Sequence, residues 1–346
     1  MAATACDTET AGVDEVGSTF RASILTSDFA LRVGDMAMVA LRTYATDPTL
    51  DVPSISQPVD LGGKRHVHRA DLSARKVQVY QYANGNEHSI IIGFRGTAET
   101  SWRDWNANAS GMTSRIQASN PWIEQHPGAD ALIPGQVGKG FHQRVSDYMW
   151  GEADGCGDGC GMRLRTVIAD ILDDPNARLD VHVTGHSLGG ISSQLFSMYA
   201  YRYLTFRGYD RSRFRVFNFA FNSPKTGDCV FVGEFADNVG AAFIPFNFTR
   251  DKDPVSTWAP FIHWLGFIDQ PNDLDPFLRG RPIGYCPHAQ LPAKTPSISV
   301  DNHAIDEDVI REWEGAMGAD FGPSILEDVS VCMKAAYQPV TVSATQ

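Results

Sequence analysis

The stretch LDVHVTGHSLGGISSQLF (residues 179–196) constrains the fold of this chain more than any other feature. Its first part alternates apolar and polar residues, which predicts a buried β-strand. From Leu188 onward the apolar residues recur with the spacing of an α-helix. Gly185 and Gly189 lie two residues to either side of Ser187, where a side chain would collide in a tight turn. The sequence therefore predicts a strand that turns sharply at Ser187 into a helix.

Strands and helices alternate along the middle of the chain. We expect helices over 28–45, 140–150, 162–174, 188–206, 228–238 and 304–315, and strands over 76–83, 88–96, 179–183, 213–221 and 241–249. This order is typical of an α/β fold with a mostly parallel central sheet and helices on both faces. Residues 26–334 are expected to form one domain, preceded by a loosely ordered segment (1–25) and followed by a tail (335–346).

The charge balance limits the kind of partner. The 346 residues include 41 acidic and 29 basic side chains, a formal charge of −12, which argues against nucleic acid and anionic membranes as partners. No apolar run reaches the ~18–20 residues of a membrane-spanning helix, and no signal peptide is visible. We expect a soluble protein, whereas its compartment (cytoplasmic, or secreted with the signal absent) and its oligomeric state stay open.

Two short stretches of the sequence contain a pair of potential metal ligands, one a pair of cysteines and the other a pair of histidines. Cys156 and Cys160 have a C-x3-C spacing that suits a disulfide loop or free thiols better than metal, because no second Cys/His pair has zinc-like spacing. His66 and His68 share one face of a possible strand, and we expect that face to be a solvated edge. The sequence thus predicts neither a metal nor a cofactor.

A serine at the apex of a sharp turn is suited to nucleophilic catalysis only if a base accepts its proton and an acid orients the base. In the α/β-hydrolase arrangement both partners follow the serine, with the acid first. Three histidines follow Ser187 in the sequence, namely His263, His288 and His303. His186 directly precedes the serine, and at such a turn its side chain is expected to point elsewhere.

The acid and the oxyanion donors are expected at the carboxyl edge of the sheet. Asp251 and Asp253 both follow a predicted strand, and Pro254 fixes the backbone after Asp253, which favours that residue. An oxyanion hole needs N–H or O–H donors directed at the developing negative charge. Leu188, which follows the serine, can offer its backbone N–H, and Thr97 can offer both its N–H and its hydroxyl.

Five motifs together resemble the fungal-type, class 3 lipase family. In chain order they are GFRGT (93–97), GKGFH (138–142), VTGHSLGG (183–190), FNSPKTGD (221–228) and DPV (253–255). The resemblance covers about residues 75–255 well and 256–316 weakly. It implies an α/β-hydrolase fold and ester hydrolysis through an acyl-enzyme without a cofactor.

The same resemblance assigns roles to individual residues. It makes Ser187 the nucleophile, Asp253 the acid, and Thr97 and Leu188 the oxyanion donors. The family histidine lies about 50 residues past the acid, which points to His303 as the base. The chain departs from the family pattern after this histidine, where HAIDEDV lacks the usual aromatic residue.

The resemblance also predicts a lid and a substrate class. Trp102 and Trp105 lie where the family carries a short amphipathic lid, although they could instead pack in the core. The resulting hypothesis is a serine carboxylester hydrolase of the triacylglycerol lipase type, which acts on glycerolipids, either dissolved or at a lipid–water interface. The alternatives are a phospholipase A1 or an esterase for small or aromatic acyl esters, an inactive lipid-binding scaffold, and, most distantly, a metal-dependent hydrolase.

Overall fold

The structure is a computed structural model that describes most of residues 28–250 and a few residues between 253 and 305. The described residues are 28–45, 59–61, 64–74, 76–97, 115–151, 160–224, 226–227, 229–238, 240–250, 253, 255, 289–291, 294, 303 and 305. Several predictions fall outside them: the segment 1–25, the tail 335–346, the helix over 304–315 (apart from Ile305), Trp102, Trp105, Cys156, Asp251, His263 and His288.

The described residues form ten strands and six helices. The strands are β1 (Val59–Leu61), β2 (Lys64–His68), β3 (Val77–Asn84), β4 (Glu87–Phe94), β5 (Arg115–Ser119), β6 (Leu132–Gly138), β7 (Arg178–His186), β8 (Phe214–Phe221), β9 (Phe243–Arg250) and β10 (Ala289–Leu291). The helices are α1 (Asp28–Ala45), α2 (Pro121–Glu124), α3 (Lys139–Trp150), α4 (Cys160–Asp173), α5 (Leu188–Phe206) and α6 (Cys229–Asp237). The helices predicted over 28–45 and 188–206 begin and end at these residues.

The central sheet has eight strands in the order β1-β2-β3-β4-β7-β8-β9-β10. The first four strands are joined by antiparallel pairings, and the pairings from β4 to β10 are all parallel. Parallel neighbours require crossover connections, which is why helices lie between these strands in sequence. The predicted α/β fold with a mostly parallel sheet is confirmed.

The strand register brings the carboxyl ends of the parallel strands to one edge. Phe94 of β4 is opposite Gly185 of β7, and Phe221 of β8 is opposite both His186 of β7 and Phe248 of β9. Residues that directly follow these strands therefore meet at the same edge, where α/β sheets carry their sites.

Helices cover both faces of the sheet, as adjacent residues of β4 show. A Cβ atom on Gly93 would contact Val39 and Thr43 of α1. The ring of Phe94 points to the opposite face, where it packs against Tyr148 of α3 and Phe196 of α5. Successive side chains of a strand alternate between faces, so α1 lies on one side and α3 and α5 on the other.

Helix α5 is buried on nearly all sides, with 16 of its 19 residues buried. It packs on the sheet and also against α2 and α3. The helix keeps its small polar residues in this interior by local bonds: the hydroxyls of Ser192, Ser193 and Ser197 donate to carbonyl oxygens of the same helix. Buried hydroxyls satisfied in this way cost little, so the residues that follow the turn can be both small and polar.

A small β5–β6 sheet with the intervening helix α2 occupies a region where the sequence predicted no element. Asn120 caps α2 by accepting from the Trp122 N–H (3.1 Å) and donates to the Tyr199 carbonyl of α5 (2.7 Å). Trp122 is fully buried, and its indole N–H donates to Met149 of α3. Tertiary packing around one tryptophan therefore orders this polar stretch.

The expectation of a solvated edge at His66 and His68 was wrong. Strand β2 is an inner strand between β1 and β3, and both imidazoles pack on tyrosines of β3. Both histidines are buried, while Val67 between them is half exposed. The described residues contain no group of three or more His, Cys, Asp or Glu that could hold a metal ion.

Two further observations concern Cys160 and the helices. Cys160, at the start of α4, is disulfide-bonded, so this member of the C-x3-C pair is not a free thiol. Among the helices of the described ranges, none is long and apolar enough to cross a membrane.

Candidate active site

Ser187 occupies the predicted turn between β7 and α5. Its backbone has φ 59° and ψ −127°, a strained region for a residue with a side chain. A Cβ atom on Gly185 would collide with the Gly189 carbonyl, and one on Gly189 would collide with the Phe94 carbonyl of β4. The two glycines are therefore required by backbone contacts, and the turn is held against the neighbouring strand.

A chain of hydrogen bonds joins Ser187, His303 and Asp253. The Ser187 Oγ lies 2.8 Å from His303 Nε2, and His303 Nδ1 lies 2.9 Å from Asp253 Oδ1. Ser187 lies in the turn after β7, Asp253 lies beyond the end of β9, and His303 follows the serine by 116 residues. The structure thus brings together the three residues that the sequence selected.

The surroundings of Asp253 fix the direction of these bonds. Its side chain is fully buried, and Oδ1 also accepts from the backbone N–H of Val255 (2.8 Å). A carboxylate can only accept, so His303 carries its proton on Nδ1 and presents the Nε2 lone pair to the serine hydroxyl. Such an arrangement can take up the serine proton as Oγ attacks a carbonyl carbon.

The two expected oxyanion donors lie at the same edge of the sheet. Leu188 is the first residue of α5, and the N–H groups of a first helical turn have no partner within the helix. Thr97 lies three residues past the end of β4, and neighbouring Gly96 is so close to the His186 carbonyl that a Cβ atom there would collide with it. Within the described ranges the buried Thr97 hydroxyl has no hydrogen-bond partner, so it is available to a ligand.

Sequence reasoning missed two residues that contact His303, namely His186 and Asn222, and a third, Tyr44, that contacts His186. His186 does not point away from the site: its Nε2 lies 2.6 Å from the His303 carbonyl oxygen, and its Nδ1 lies 2.9 Å from the Tyr44 hydroxyl. Asn222 donates from Nδ2 to the same carbonyl (3.2 Å). His186 adjoins the serine and Asn222 lies in the FNSPKTGD motif. Their positions in these motifs were the sequence signal that could have identified them as site residues.

Burial keeps His186 neutral. Loss of solvent lowers the pKa of its imidazole well below the usual value, and the nearby charge of His303 lowers it further. Its ring centroid lies 4.7 Å from that of His303. A neutral imidazole has one N–H donor and one acceptor nitrogen, which matches the two hydrogen-bond partners of His186.

The sequence matches the protein-family model of Lipase (class 3) over residues 91–262. This span begins in β4 and includes Thr97, Ser187 and Asp253. No curated protein sequence matches the chain.

Comparison with solved structures gives several lipases of low sequence identity. M37 lipase is similar with a TM-score of 0.51 and 13% identity, over 89% of this chain and 99% of that chain. The Rhizomucor miehei lipase propeptide complex has a TM-score of 0.40 and 19% identity, over 66% of this chain and 62% of that chain. Lip2 lipase from Yarrowia lipolytica has a TM-score of 0.41 and 16% identity, over 68% of this chain and 74% of that chain. The chain spans 62–64% of the length of the Rhizomucor miehei chains in propeptide complexes. The similarity to M37 lipase shows a shared fold.

Proposed function

Because the chain belongs to the class 3 lipase family of carboxylic ester hydrolases, we propose that it hydrolyses glycerolipid esters with Ser187 as the nucleophile. His303 is the general base in this proposal, and Asp253 orients and stabilises it. The observation that supports these roles most directly is the hydrogen-bonded chain from the Ser187 hydroxyl through His303 to the buried Asp253 carboxylate.

The first half of the reaction forms an acyl-enzyme. Ser187 Oγ attacks the ester carbonyl carbon while its proton passes to His303 Nε2, and Asp253 stabilises the resulting imidazolium. The negative charge that develops on the carbonyl oxygen is stabilised by the Leu188 N–H and by Thr97. The tetrahedral intermediate then breaks the bond to the alcohol oxygen, which takes the proton from His303 and leaves as the free alcohol.

The second half releases the acid. A water molecule gives a proton to His303 as its oxygen attacks the acyl carbon, which forms a second tetrahedral intermediate in the same oxyanion site. This intermediate expels Ser187 Oγ, which recovers its proton from His303. The net result is one ester bond hydrolysed, with the enzyme restored.

The choice of glycerolipids rests on the family and on the sequence of the predicted lid. We propose that Trp102 and Trp105 cover the site in water and turn toward a lipid surface. The double variant W102A/W105A is then expected to lose activity on emulsified triolein while it retains activity on dissolved p-nitrophenyl butyrate. Equal effects on both substrates would contradict the lid.

The test of the function is hydrolysis of a p-nitrophenyl ester series from acetate to palmitate, together with triolein and dioleoylphosphatidylcholine. Ser187→Ala is expected to lose at least about 10⁴-fold in kcat. Ser197→Ala is the matched control, because it removes a buried hydroxyl from α5, the helix that follows Ser187, and among the described residues this hydroxyl donates to the Gln194 carbonyl. An optimum at long acyl chains and turnover of triolein support a lipase, whereas an optimum at acetate or a preference for the phospholipid contradicts that substrate assignment.

A further inference from the structure

The backbone carbonyl of His303 accepts hydrogen bonds from two side chains on neighbouring strands. His186 Nε2, at the end of β7, lies 2.6 Å from the carbonyl oxygen. Asn222 Nδ2, directly after β8, lies 3.2 Å from the same atom. These two donors lie 117 and 81 residues from His303 in sequence, so they attach it directly to the central sheet.

Asn222 is suited to this contact by an unusual backbone conformation. Its φ is 46°, in the left-handed region that asparagine tolerates better than most residues. Its N–H donates to the Phe248 carbonyl of β9 (2.7 Å), and its Oδ1 accepts from the Arg250 N–H (3.0 Å). The acceptor end of the amide therefore faces an N–H and the donor end faces a carbonyl, which fixes the amide orientation.

The same side chain connects the two halves of the proposed catalytic pair. Arg250, which donates to Asn222 Oδ1, ends β9, and its carbonyl accepts from the Asp253 N–H (3.2 Å). Asn222 therefore touches both the strand end that leads to Asp253 and the backbone of His303. A displacement of Asn222 would change the position of the base relative to its acid.

The hydrogen bonds of His186 fix its tautomer. A carbonyl oxygen can only accept, so Nε2 carries the proton and donates to His303. Nδ1 is then the acceptor for the Tyr44 hydroxyl of α1, 2.9 Å away. Both ring nitrogens are therefore bonded, and the imidazole is held between α1 and His303.

We propose that Asn222 and His186 are positioning residues, a carbonyl clamp that holds the backbone of His303 so that Nε2 stays aligned with Ser187. The clamp rests on the proposed function, because it acts only through His303. Its consequence is kinetic: a shift of about 1 Å in a catalytic group can cost about 10²-fold in rate. The Asp253 contact orients the ring, whereas the clamp fixes the main chain from which the ring extends.

Two substitutions of Asn222 separate the clamp from the backbone requirement. Asn222→Gly removes the amide but tolerates the positive φ, and Asn222→Asp keeps the shape but replaces the donor with an acceptor. Each is expected to lower kcat for p-nitrophenyl butyrate about 10–100-fold with KM unchanged. Asn238→Gly, at the end of α6, is the control and should leave both parameters unchanged, since its amide bonds only to Glu234 in the described structure.

A second background distinguishes positioning from a general structural role. In His303→Ala, the residual hydrolysis should be the same with Asn222 as with Asn222→Gly, because no base remains to be positioned. Ser187→Ala is measured in parallel. Full activity of both Asn222 variants, or an equal loss in the His303→Ala background, would overturn the clamp, whereas full activity of Ser187→Ala would overturn the proposed function itself.

Discussion

Ser187 and His303 lie in the same site but are held there by different kinds of contact. Ser187 lies between two consecutive elements, β7 and α5, and its position follows from glycine contacts and a buried helix within a few residues. His303 is positioned by hydrogen bonds to residues that are 50 to 117 positions away in sequence. The position of the proposed nucleophile is therefore specified locally, and that of the proposed base by the tertiary structure.

This difference explains why the two residues should respond differently to substitution. The turn at Ser187 is disrupted when a substitution collides with its backbone. Such a change should lower the stability of the whole fold, because β7 is central in the sheet. A residue such as His303, which is held by partners distant in sequence, loses its position when one of those hydrogen bonds is removed. The fold can survive that loss. Substitutions at both kinds of position test this contrast.

Asp253→Asn should lower kcat about 10⁴-fold with little effect on stability. The amide can place an N–H opposite His303 Nδ1, so the imidazole would carry its proton on Nε2 and could not accept from Ser187. Steady-state kinetics and thermal unfolding check both parts. Asp71→Asn is the control, because Asp71 is half exposed and pairs with Arg69; a similar loss in that variant would show that the effect is not specific to the acid.

Thr97→Val should lower kcat about 10²- to 10³-fold, the cost of one lost oxyanion donor. Stability should be maintained or should rise, since the buried hydroxyl has no partner among the described residues and its removal relieves an unsatisfied polar group. Thr97→Ser keeps the hydroxyl and should retain activity. A fall in melting temperature without loss of kcat would assign Thr97 to the structure instead.

Gly185→Ala should lower the free energy of unfolding by about 3 kcal/mol, because the added methyl group would meet the Gly189 backbone, which cannot move aside as a side chain can. Urea denaturation measures this. Gly240→Ala is the matched control: a Cβ atom there meets nothing within 4 Å, and the change should be within about 0.5 kcal/mol. Equal effects at both positions would contradict the local specification of the turn.

His66 lies outside the surroundings of both Ser187 and His303. We expect it to influence the pH dependence of stability. Burial first, and then the charge of Lys64, lowers its pKa from 6.5 to about 4. Between these values the unfolded chain binds more protons than the folded one, so stability is present above pH 6.5 and falls as the pH drops toward 4.

The slope from this single group is at most about 1.4 kcal/mol per pH unit. His66→Gln should flatten the dependence of unfolding free energy on pH, as measured by urea denaturation at about pH 7 and pH 5. An unchanged slope would mean that other buried histidines account for the acid sensitivity.

The sequence predicted the locally specified part of the molecule well. The strand, turn and helix around Ser187 were predicted because apolar periodicity and glycine spacing are read from neighbouring residues. The positions of Asp253 and His303 followed from family resemblance and chain order. The sequence did not reveal the carbonyl clamp, because the contacts of Asn222 and His186 depend on strand register and on a carbonyl far along the chain.

The same reasoning explains the misjudged histidines of β2. Alternation along a short strand shows that His66 and His68 share a face but does not show which face is covered. That outcome depends on the tyrosines of β3 that pack against the two imidazoles. The stretch that contains β5, α2 and β6 was missed for a similar reason, because its order depends on the burial of Trp122 against α3 and α5.

Covalent labelling tests whether His303 activates Ser187. The folded wild-type protein, Ser187→Ala and His303→Ala would each be treated with an alkyl fluorophosphonate, and the adduct would be located and its rate of formation measured by mass spectrometry. We expect one adduct on Ser187, none in Ser187→Ala, and labelling slowed at least about 10³-fold in His303→Ala. An adduct on another residue, or labelling of His303→Ala at the wild-type rate, would contradict this activation.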